Sequence, residues 1–364
     1  MRVAIDATPL LGTRTGIGVF VAGALDALAR DRDLDCVAYG LTWSGRHELA
    51  RALPPGVRAA RGPMAAAPLL QAWARAGVPP IEWWTGRADV VHGTNFVVPP
   101  ARRAARVVTV HDLTPVHHPE LCAPRSLAYP RLVQRAVDRG AFVHTPSEFV
   151  AGEVVDAFGV PAERVRVVPH GITEPTPATT PASHSGVPYV LALGTVEPRK
   201  DLPLLVRAFD AVAGRHPDLR LVIAGPDGWG ADALRASINA SPHRDRVDRR
   251  GWVTDAERAV LLRDAAVFAF PSVYEGFGLP VLEAMAAGVP VVATAAGAVP
   301  EVAGGAARIV DVGDADAFAG GLDELLDDGA EAERLAAAGR DRASGFTWAR
   351  CAAGLAATYR TAAR

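Results

Sequence analysis

Short apolar runs recur along the chain, each closing on a glycine-bearing or polar turn, and several lead into stretches with the apolar spacing of an amphipathic helix. In the first half the runs are Val3 to Ile5, Cys36 to Tyr39, Asp89-Val-Val-His92, Arg106-Val-Val-Thr-Val-His111, Phe142-Val-His-Thr145 and Val165 to Val168. In the second half they are Tyr189 to Leu193, Leu219 to Gly225, Val267 to Phe270 and Val289 to Ala293. Runs of this length bounded by turn residues read as buried strands. Helices are expected from Gly18 to about Arg30, around Arg131 to Arg139, after Asp201 to about Val212, and in the Ala-rich tail to Arg364. Strand alternating with helix on this scale predicts an α/β fold of two doubly wound sheets. Between them Thr173 to Gly186 has no periodicity and is rich in Pro, Thr and Ser, the composition of a semi-extended linker. The division is 1–172 for the first domain, 173–188 for the linker, 189–345 for the second domain and 346–364 for a closing helix. From Cys36 to Trp84 the signal is weaker; Trp73, Trp83 and Trp84 there suit core more often than an acceptor surface and are left unassigned.

Composition narrows the picture. A chain of 364 residues is long for one core and suits two domains, or three. With 38 basic against 40 acidic side chains there is no positive excess for neutralising phosphates, which argues against nucleic acid as the main partner. Cys36, Cys122 and Cys351 stand far apart with no C-x-x-C spacing, so neither a zinc knuckle nor a disulfide framework is expected, and a reducing cytoplasm fits. Charge interrupts Met1-Arg2-Val3-Ala4-Ile5-Asp6 at once, so neither a signal peptide nor a membrane span is expected there, and no later apolar run reaches the ~18 residues of a span.

The chemistry concentrates in Pro271 to Pro290, PSVYEGFGLPVLEAMAAGVP. The strand Val267 to Phe270 empties into a turn that carries Glu275, Gly276, Phe277 and Gly278. A helix is expected to start at Pro280, with Glu283 in its first turn and Gly288 as its stop. A turn of bare amides at a helix N-terminus favours an anion, and flanking carboxylates accept hydrogen bonds from hydroxyls. Phosphate beside hydroxyls describes a nucleotide sugar. In Gly194-Thr-Val-Glu-Pro-Arg199-Lys200-Asp201, two adjacent cations precede a helix that Asp201 caps, an arrangement that calls for an anion such as a diphosphate. Thr254-x-x-Glu257 is a capping box, which leaves Asp255 and the Val253 backbone for reading a base edge; an acidic acceptor favours guanine. Gly12-Thr-Arg-Thr-Gly16-Ile-Gly18 opens the first helix but misses G-x-G-x-x-G at Val21, which removes the best support for a nicotinamide or flavin role. His92 and His111 both close strands, where open α/β sheets bind ligands. His117 and His118 are adjacent and cannot share one face, and no third ligand is spaced for zinc.

Glu275 and Glu283 within E-G-F-G-L-P-x-x-E resemble the E-x7-E signature of retaining glycosyltransferases of family 4, with the GT-B fold. His111-Asp112-Leu-Thr-Pro115, Ser147-Glu148-Phe149, Pro169-His170-Gly171, G-T-x-E-P-R-K, Gly251-Trp-Val-Thr-Asp255-Ala-Glu257 and Gly297-Ala-Val-Pro-Glu301 are similar to further elements of that family. The branch resembles bacterial mannosyltransferases. Many relatives carry arginine where this chain has Thr195, so one phosphate contact is missing or supplied otherwise. The resemblance implies two Rossmann-like domains facing across a cleft, with Gly345-Phe346-Thr347-Trp348 and the last helix crossing back to the first domain. It implies a nucleoside diphosphate sugar as donor, GDP-mannose favoured, and a hydroxyl-bearing acceptor, with no cofactor and no metal. Arg199, Lys200 and the Gly278 and Leu279 amides are then assigned to the diphosphate. Glu275 and His111 hold the sugar and Glu283 the ribose, while Gly16, Gly18, Val253, Asp255, Gly276 and Phe277 complete the donor site. The expected location is the cytoplasm, with the inner membrane face as a further option. A sugar phosphorylase or epimerase of the same fold, or a silent nucleotide-sugar binder, are the alternatives.

Overall fold

Burial on both faces is what turns the valine-rich runs into strands, and two all-parallel sheets result. The first contains β1 (Arg2–Asp6), β2 (Asp35–Tyr39), β3 (Arg58–Ala59), β4 (Val90–Gly93), β5 (Ala105–Thr109), β6 (Phe142–Thr145) and β7 (Val165–Val167), in the order β3-β2-β1-β4-β5-β6-β7. The second contains β8 (Tyr189–Leu193), β9 (Arg220–Ala224), β10 (Val247–Gly251), β11 (Val267–Phe270), β12 (Val291–Thr294) and β13 (Arg308–Val310), in the order β10-β9-β8-β11-β12-β13. The computed structural model describes residues 1–12, 15–173 and 186–364. Most of the expected linker 173–188, and Thr13 and Arg14 of the glycine loop, therefore lie outside the described residues. Met1–Gly171 and Phe346–Arg364 form one compact unit and Ile172–Gly345 the other.

In each sheet the strand order reverses once, between β1 and β4 in the first and between β8 and β11 in the second. Loops leaving neighbouring strands at such a point diverge to opposite faces and open a crevice, so ligand chemistry is expected there. Alternation along β1 shows the layering: Val3 and Ile5 pack with Phe20 and Leu25 on one face, Ala4 with Tyr39, Met64 and Trp73 on the other. Of the unassigned tryptophans, Trp73 is core, whereas Trp83 is exposed. In the second unit Val190, Leu221, Ile223, Val267 and Ala269 pack against Leu204, Leu205 and Phe209 of the helix Leu202–Ala213.

Three strands carry no apolar run: β3, β10 (Val-Asp-Arg-Arg-Gly) and β13. All three lie on sheet edges. An edge strand is paired on one side only and is half-solvated, so its sequence need not be apolar. In β10, Arg249 reaches the Gly225 carbonyl at 2.6 Å and Asp227 at 2.8 Å, holding the strand by polar contacts.

The helix Trp348–Ala362, capped by Thr347, packs on the helix Gly16–Leu28 and belongs to the first unit. A Cβ on Gly23 would run into the Trp348 indole, so only glycine permits this approach. The Tyr359 hydroxyl reaches Nδ1 of His92 at 2.8 Å, and His92 Nε2 lies 2.7 Å from Thr109 Oγ1. Thr109 Oγ1 lies 2.9 Å from His144 Nδ1, and His144 Nε2 lies 2.9 Å from the Val168 carbonyl. A carbonyl only accepts, so His144 must carry its proton on Nε2, and the direction of every other bond in the row follows. Tyr359 donates to His92, His92 to Thr109, Thr109 to His144, and His144 to Val168. Each group is buried and neutral, and each is paired. Burial brings His144 down to about 4 and holds His92 well below the usual histidine value, the neighbouring histidines adding to the effect. His92 is therefore a satisfied core residue within β4, and the expectation that it faces a ligand is corrected.

Tyr359→Phe should leave a buried ring nitrogen unpaired and lower the unfolding free energy by about 1–3 kcal/mol, read from urea denaturation. Between 6.5 and about 4 the unfolded chain binds a proton at His144 that the folded chain refuses, so stability falls as pH drops through that window, by about 3 kcal/mol from this group. Asp6, raised from 3.8 to about 6, opposes this from about pH 6 downward, but His92 and His170 add to His144. The melting temperature should accordingly decline from pH 7 to pH 4.5; a rise would contradict the assignment.

Candidate functional site

At the β8/β11 reversal two loops run side by side. After β8 the chain makes a 3-10 turn, Pro198–Lys200, and enters the helix Leu202–Ala213 through Asp201. Asp201 has φ +38°, and its side chain accepts from the Leu204 amide at 3.3 Å. A non-glycine residue there stores strain, held in place here by the cap. After β11 the segment Pro271 to Gly278 leads to the helix Leu279–Ala286. The loops are stitched by backbone and side chain: the Val273 amide donates to the Arg199 carbonyl at 2.8 Å, and Arg199 NH1 donates to the Tyr274 carbonyl at 2.8 Å.

That stitching places Glu275 between the two cations. Its Oε1 lies 2.6 Å from Lys200 Nζ and its Oε2 lies 2.7 Å from Arg199 NH1. Ser272 donates to Oε1 at 2.8 Å, the Thr294 hydroxyl donates to the Ser272 carbonyl at 2.5 Å, and Lys200 Nζ sits 4.5 Å over the Phe270 ring. Burial by itself would raise the Glu275 carboxyl, but the charges of Arg199 and Lys200 and their hydrogen bonds outweigh it and bring it down to about 2. Burial pushes the Lys200 ammonium down, and the Glu275 charge works against that. Glu197 adds a second carboxylate 3.6 Å from Arg199. The adjacent cations thus have internal counter-charges, which corrects the expectation that a bound anion is needed to offset them. A small cavity lined by Gly194, Thr195, Lys200, Phe270, Pro271 and Ser272 lies between the two loops.

Gly278 takes φ +97° at the helix N-cap, a conformation that favours glycine. Among the described residues no hydrogen bond uses the Gly278 or Leu279 amide, and Pro280 has none to offer, so this helix start presents bare donors. Gly276 and Phe277 are buried in the same turn. Glu283 does not fall in the first turn as expected, since the helix begins at Leu279. It lies one turn further and pairs with Arg258. Arg258 belongs to the helix Asp255–Asp264, whose start is the expected capping box of Thr254 and Glu257. Asp255 is exposed and Val253 half-buried there, beside a Trp252 that is 61% exposed.

In the first unit Gly16 and Gly18 open the helix Gly16–Leu28. His111 follows β5, is buried, and donates from Nε2 to the Thr94 carbonyl at 2.7 Å. Burial lowers its pKa, with Thr94 and Asp112 opposing, so the ring is neutral at neutral pH and Nδ1 offers a lone pair. His111 can therefore accept a hydrogen bond from a hydroxyl. Phe20 and Phe96 meet its ring edge-on at centroid distances of 5.4 and 5.9 Å. His117 and His118 instead meet Glu153 and Glu120. Ser147 caps its helix by accepting from the Val150 amide.

Sequence reasoning missed Glu197, Phe270, Ser272, Arg258 and Thr94. Ser272 and Phe270 adjoin the central motif and were within reach of it. Arg258 and Thr94 act through partners distant in sequence, and nothing local marks them. For metals, His216, Asp323 and Asp327 bring ligand atoms within 4.8 Å of one another, but Arg215 also pairs with Asp323 and the group reads as an ion-pair network. Among the described residues no helix is long and apolar enough to cross a membrane.

Residues 180–342 match the family described as Glycosyl transferases group 1, and residues 14–174 match Glycosyltransferase Family 4. The chain is 30% identical over 279 residues to O-antigen chain mannosyltransferase B of Escherichia coli, covering 72% of this chain and 71% of that protein. It is 32% identical over 224 residues to the MMP alpha-(1->4)-mannosyltransferase of Mycolicibacterium hassiacum, covering 60% of this chain and 53% of that protein. Among solved structures it is similar to Anabaena HepE in complex with UDP and glucose, with TM-score 0.76 and 19% identity over 99% of this chain and 100% of that one. It is also similar to sucrose-phosphate synthase from Thermosynechococcus elongatus, with TM-score 0.78 and 21% identity over 99% and 98% of the two chains. With its two Rossmann-like units, the fold is GT-B.

Glu275→Gln keeps the shape but leaves two largely buried cations short of a counter-charge. It should lower the unfolding free energy by about 3–5 kcal/mol, measured by denaturant titration at pH 7. Because Glu275 is held near 2 rather than 4.5, its contribution is complete above pH 4.5 and is lost as pH falls toward 2. The difference between wild type and variant should shrink across that interval.

Proposed function

Because this chain belongs to the glycosyltransferases of group 1 and family 4, we propose that it moves a hexose, mannose in first place, from a nucleoside diphosphate sugar to an acceptor hydroxyl with retention of the anomeric configuration. The observation that carries the reading is the Arg199–Glu275–Lys200 node at the β8/β11 reversal, beside the bare Gly278 and Leu279 amides. Two cations and two backbone donors on rigid elements suit a diphosphate that gains negative charge as it leaves. After Lys200 and Ser272 on Oε1 and Arg199 on Oε2, Glu275 keeps one lone-pair position, on Oε2, and it suits a hydroxyl of the sugar. On this reading the bond from the anomeric carbon to the phosphate oxygen breaks, the bond to the acceptor oxygen forms on the same face, and the acceptor proton passes to the departing phosphate. Catalysis then rests on positioning and on fixed charge. Arg199 and Lys200 would do the work that a divalent ion does elsewhere, so turnover should survive chelation.

Two mannosyltransferases among the relatives support mannose, and an exposed acceptor at Asp255 supports guanine as the base. HepE, by contrast, is described with UDP and glucose, so UDP-glucose is the donor to set against GDP-mannose. Arg258 would hold Glu283 in place until ribose hydroxyls share it.

Incubation with a panel of nucleotide sugars, with and without EDTA, should release GDP from GDP-mannose at equal rates. Release only from UDP-sugars would reassign the donor, and dependence on added metal would remove the fixed-charge account. Lys200→Ala should reduce kcat/KM for the donor by about 10²-fold or more, on the scale of losing one transition-state donor. Unchanged turnover in that variant would detach Lys200 from the leaving group.

A further inference from the structure

Asp6 ends β1, at the point where the order of the first sheet reverses toward β4. Its side chain is 5% exposed. Oδ1 accepts from the Thr8 amide at 2.9 Å and from the Thr8 hydroxyl at 2.5 Å. Among the described residues Oδ2 makes no hydrogen bond, and no cation pairs with the carboxylate. The polar groups near the carboxylate are Thr8 in the following turn and the Tyr39 phenol from β2, whereas the Thr94 hydroxyl beyond β4 is spent on the Asp6 main-chain carbonyl.

The turn at Thr8 requires one side-chain oxygen, which an asparagine would supply without charge. A carboxylate buried without a counter-charge is destabilising, and here the second oxygen is the part that the fold does not use. Thr94 ties the end of β1 to His111: its hydroxyl donates to the Asp6 main-chain carbonyl at 2.9 Å, and its own carbonyl receives His111 Nε2 at 2.7 Å. One end of one sheet thereby holds two lone-pair acceptors, Asp6 Oδ2 and His111 Nδ1, and both suit hydroxyl donors.

We propose that Asp6 is an acceptor-binding residue, whose Oδ2 receives a hydrogen bond from a hydroxyl of the sugar or polyol to be glycosylated. This rests on the glycosyl-transfer reading and names a residue for its second substrate. Burial raises the Asp6 carboxyl to about 6, with the Thr8 hydrogen bonds opposing. The ionised carboxylate is the stronger acceptor, so binding should weaken as pH falls through that value.

Methyl α-D-mannopyranoside serves as the probe, with the full chain labelled at aspartate 13Cγ and the Asp6 resonance identified by its loss in Asp6→Asn. Addition of probe should lower the Asp6 titration midpoint, and wild-type affinity should fall about tenfold between pH 7.5 and pH 5. Asp6→Asn should bind the probe at least about tenfold more weakly at pH 7.5 and lose that pH dependence. The proposal is overturned if the Asp6 midpoint does not move up to about 50 mM probe, if wild-type affinity is flat with pH, or if the asparagine variant binds equally well. The wild-type pH series decides the matter even where that variant fails to fold. Donor turnover by wild type is scored separately: probe binding at Asp6 without release of nucleotide from any donor would sink the transfer reading and leave this site standing.

Discussion

A buried carboxylate held between two cations organises the second unit. Glu275 draws Lys200 to one oxygen and Arg199 to the other, and the same contacts bind the loop after β8 to the loop after β11. In a low-dielectric setting each of these charges would be untenable alone. Together they fix the geometry of both loops at the sheet's reversal point. The surroundings serve this arrangement: Ser272 and Thr294 orient the carboxylate, Phe270 backs the ammonium, and strain at Asp201 is accepted so that Arg199 and Lys200 are delivered together. A donor diphosphate arriving here would meet cations already aimed and already desolvated, which is where fixed charge acts most strongly.

The first unit meets the problem of buried polarity differently. It uses neutral groups in a row, from Tyr359 through His92, Thr109 and His144 to the Val168 carbonyl, with one possible direction of donation. The row begins on the last helix and ends just beyond β7, at Val168, so the closing segment of the chain is keyed to the sheet by hydrogen bonds as well as by packing of Trp348 against Gly23. The groups left open beside the two reversal points also differ in kind. After β11 they are donors, the Gly278 and Leu279 amides. After β1 and β5 they are acceptors, Asp6 Oδ2 and His111 Nδ1. Bare donors suit phosphate and bare acceptors suit hydroxyls, which is the division of labour a glycosyl transfer requires.

Ser147, Asp201 and the Thr254–Glu257 box were legible because capping is a local matter, complete within a few residues. Glu283 falls outside the first turn because the helix starts one residue before Pro280, at Leu279, where the left-handed Gly278 forms the N-cap. His92 and His111 look alike in sequence, each near the end of a valine-rich strand. One is consumed by Tyr359 and Thr109, the other keeps a lone pair, and the distinction rests on a tyrosine at the far end of the chain.

By itself the amino-acid sequence determined the alternation of strands and helices, the two-sheet α/β class, the turn around Glu275 and the cations that precede the helix Leu202–Ala213. All of these are written in spacings of a few residues, where apolar periodicity, glycine and capping chemistry act. Only the tertiary structure decided the edge strands β3, β10 and β13, the pairing of Arg258 with Glu283, the counter-charges on Arg199 and Lys200, and the second oxygen of Asp6. Each of these depends on groups separated in sequence and brought together by burial, and the free energy of such a contact belongs to the pair, so neither residue announces it alone.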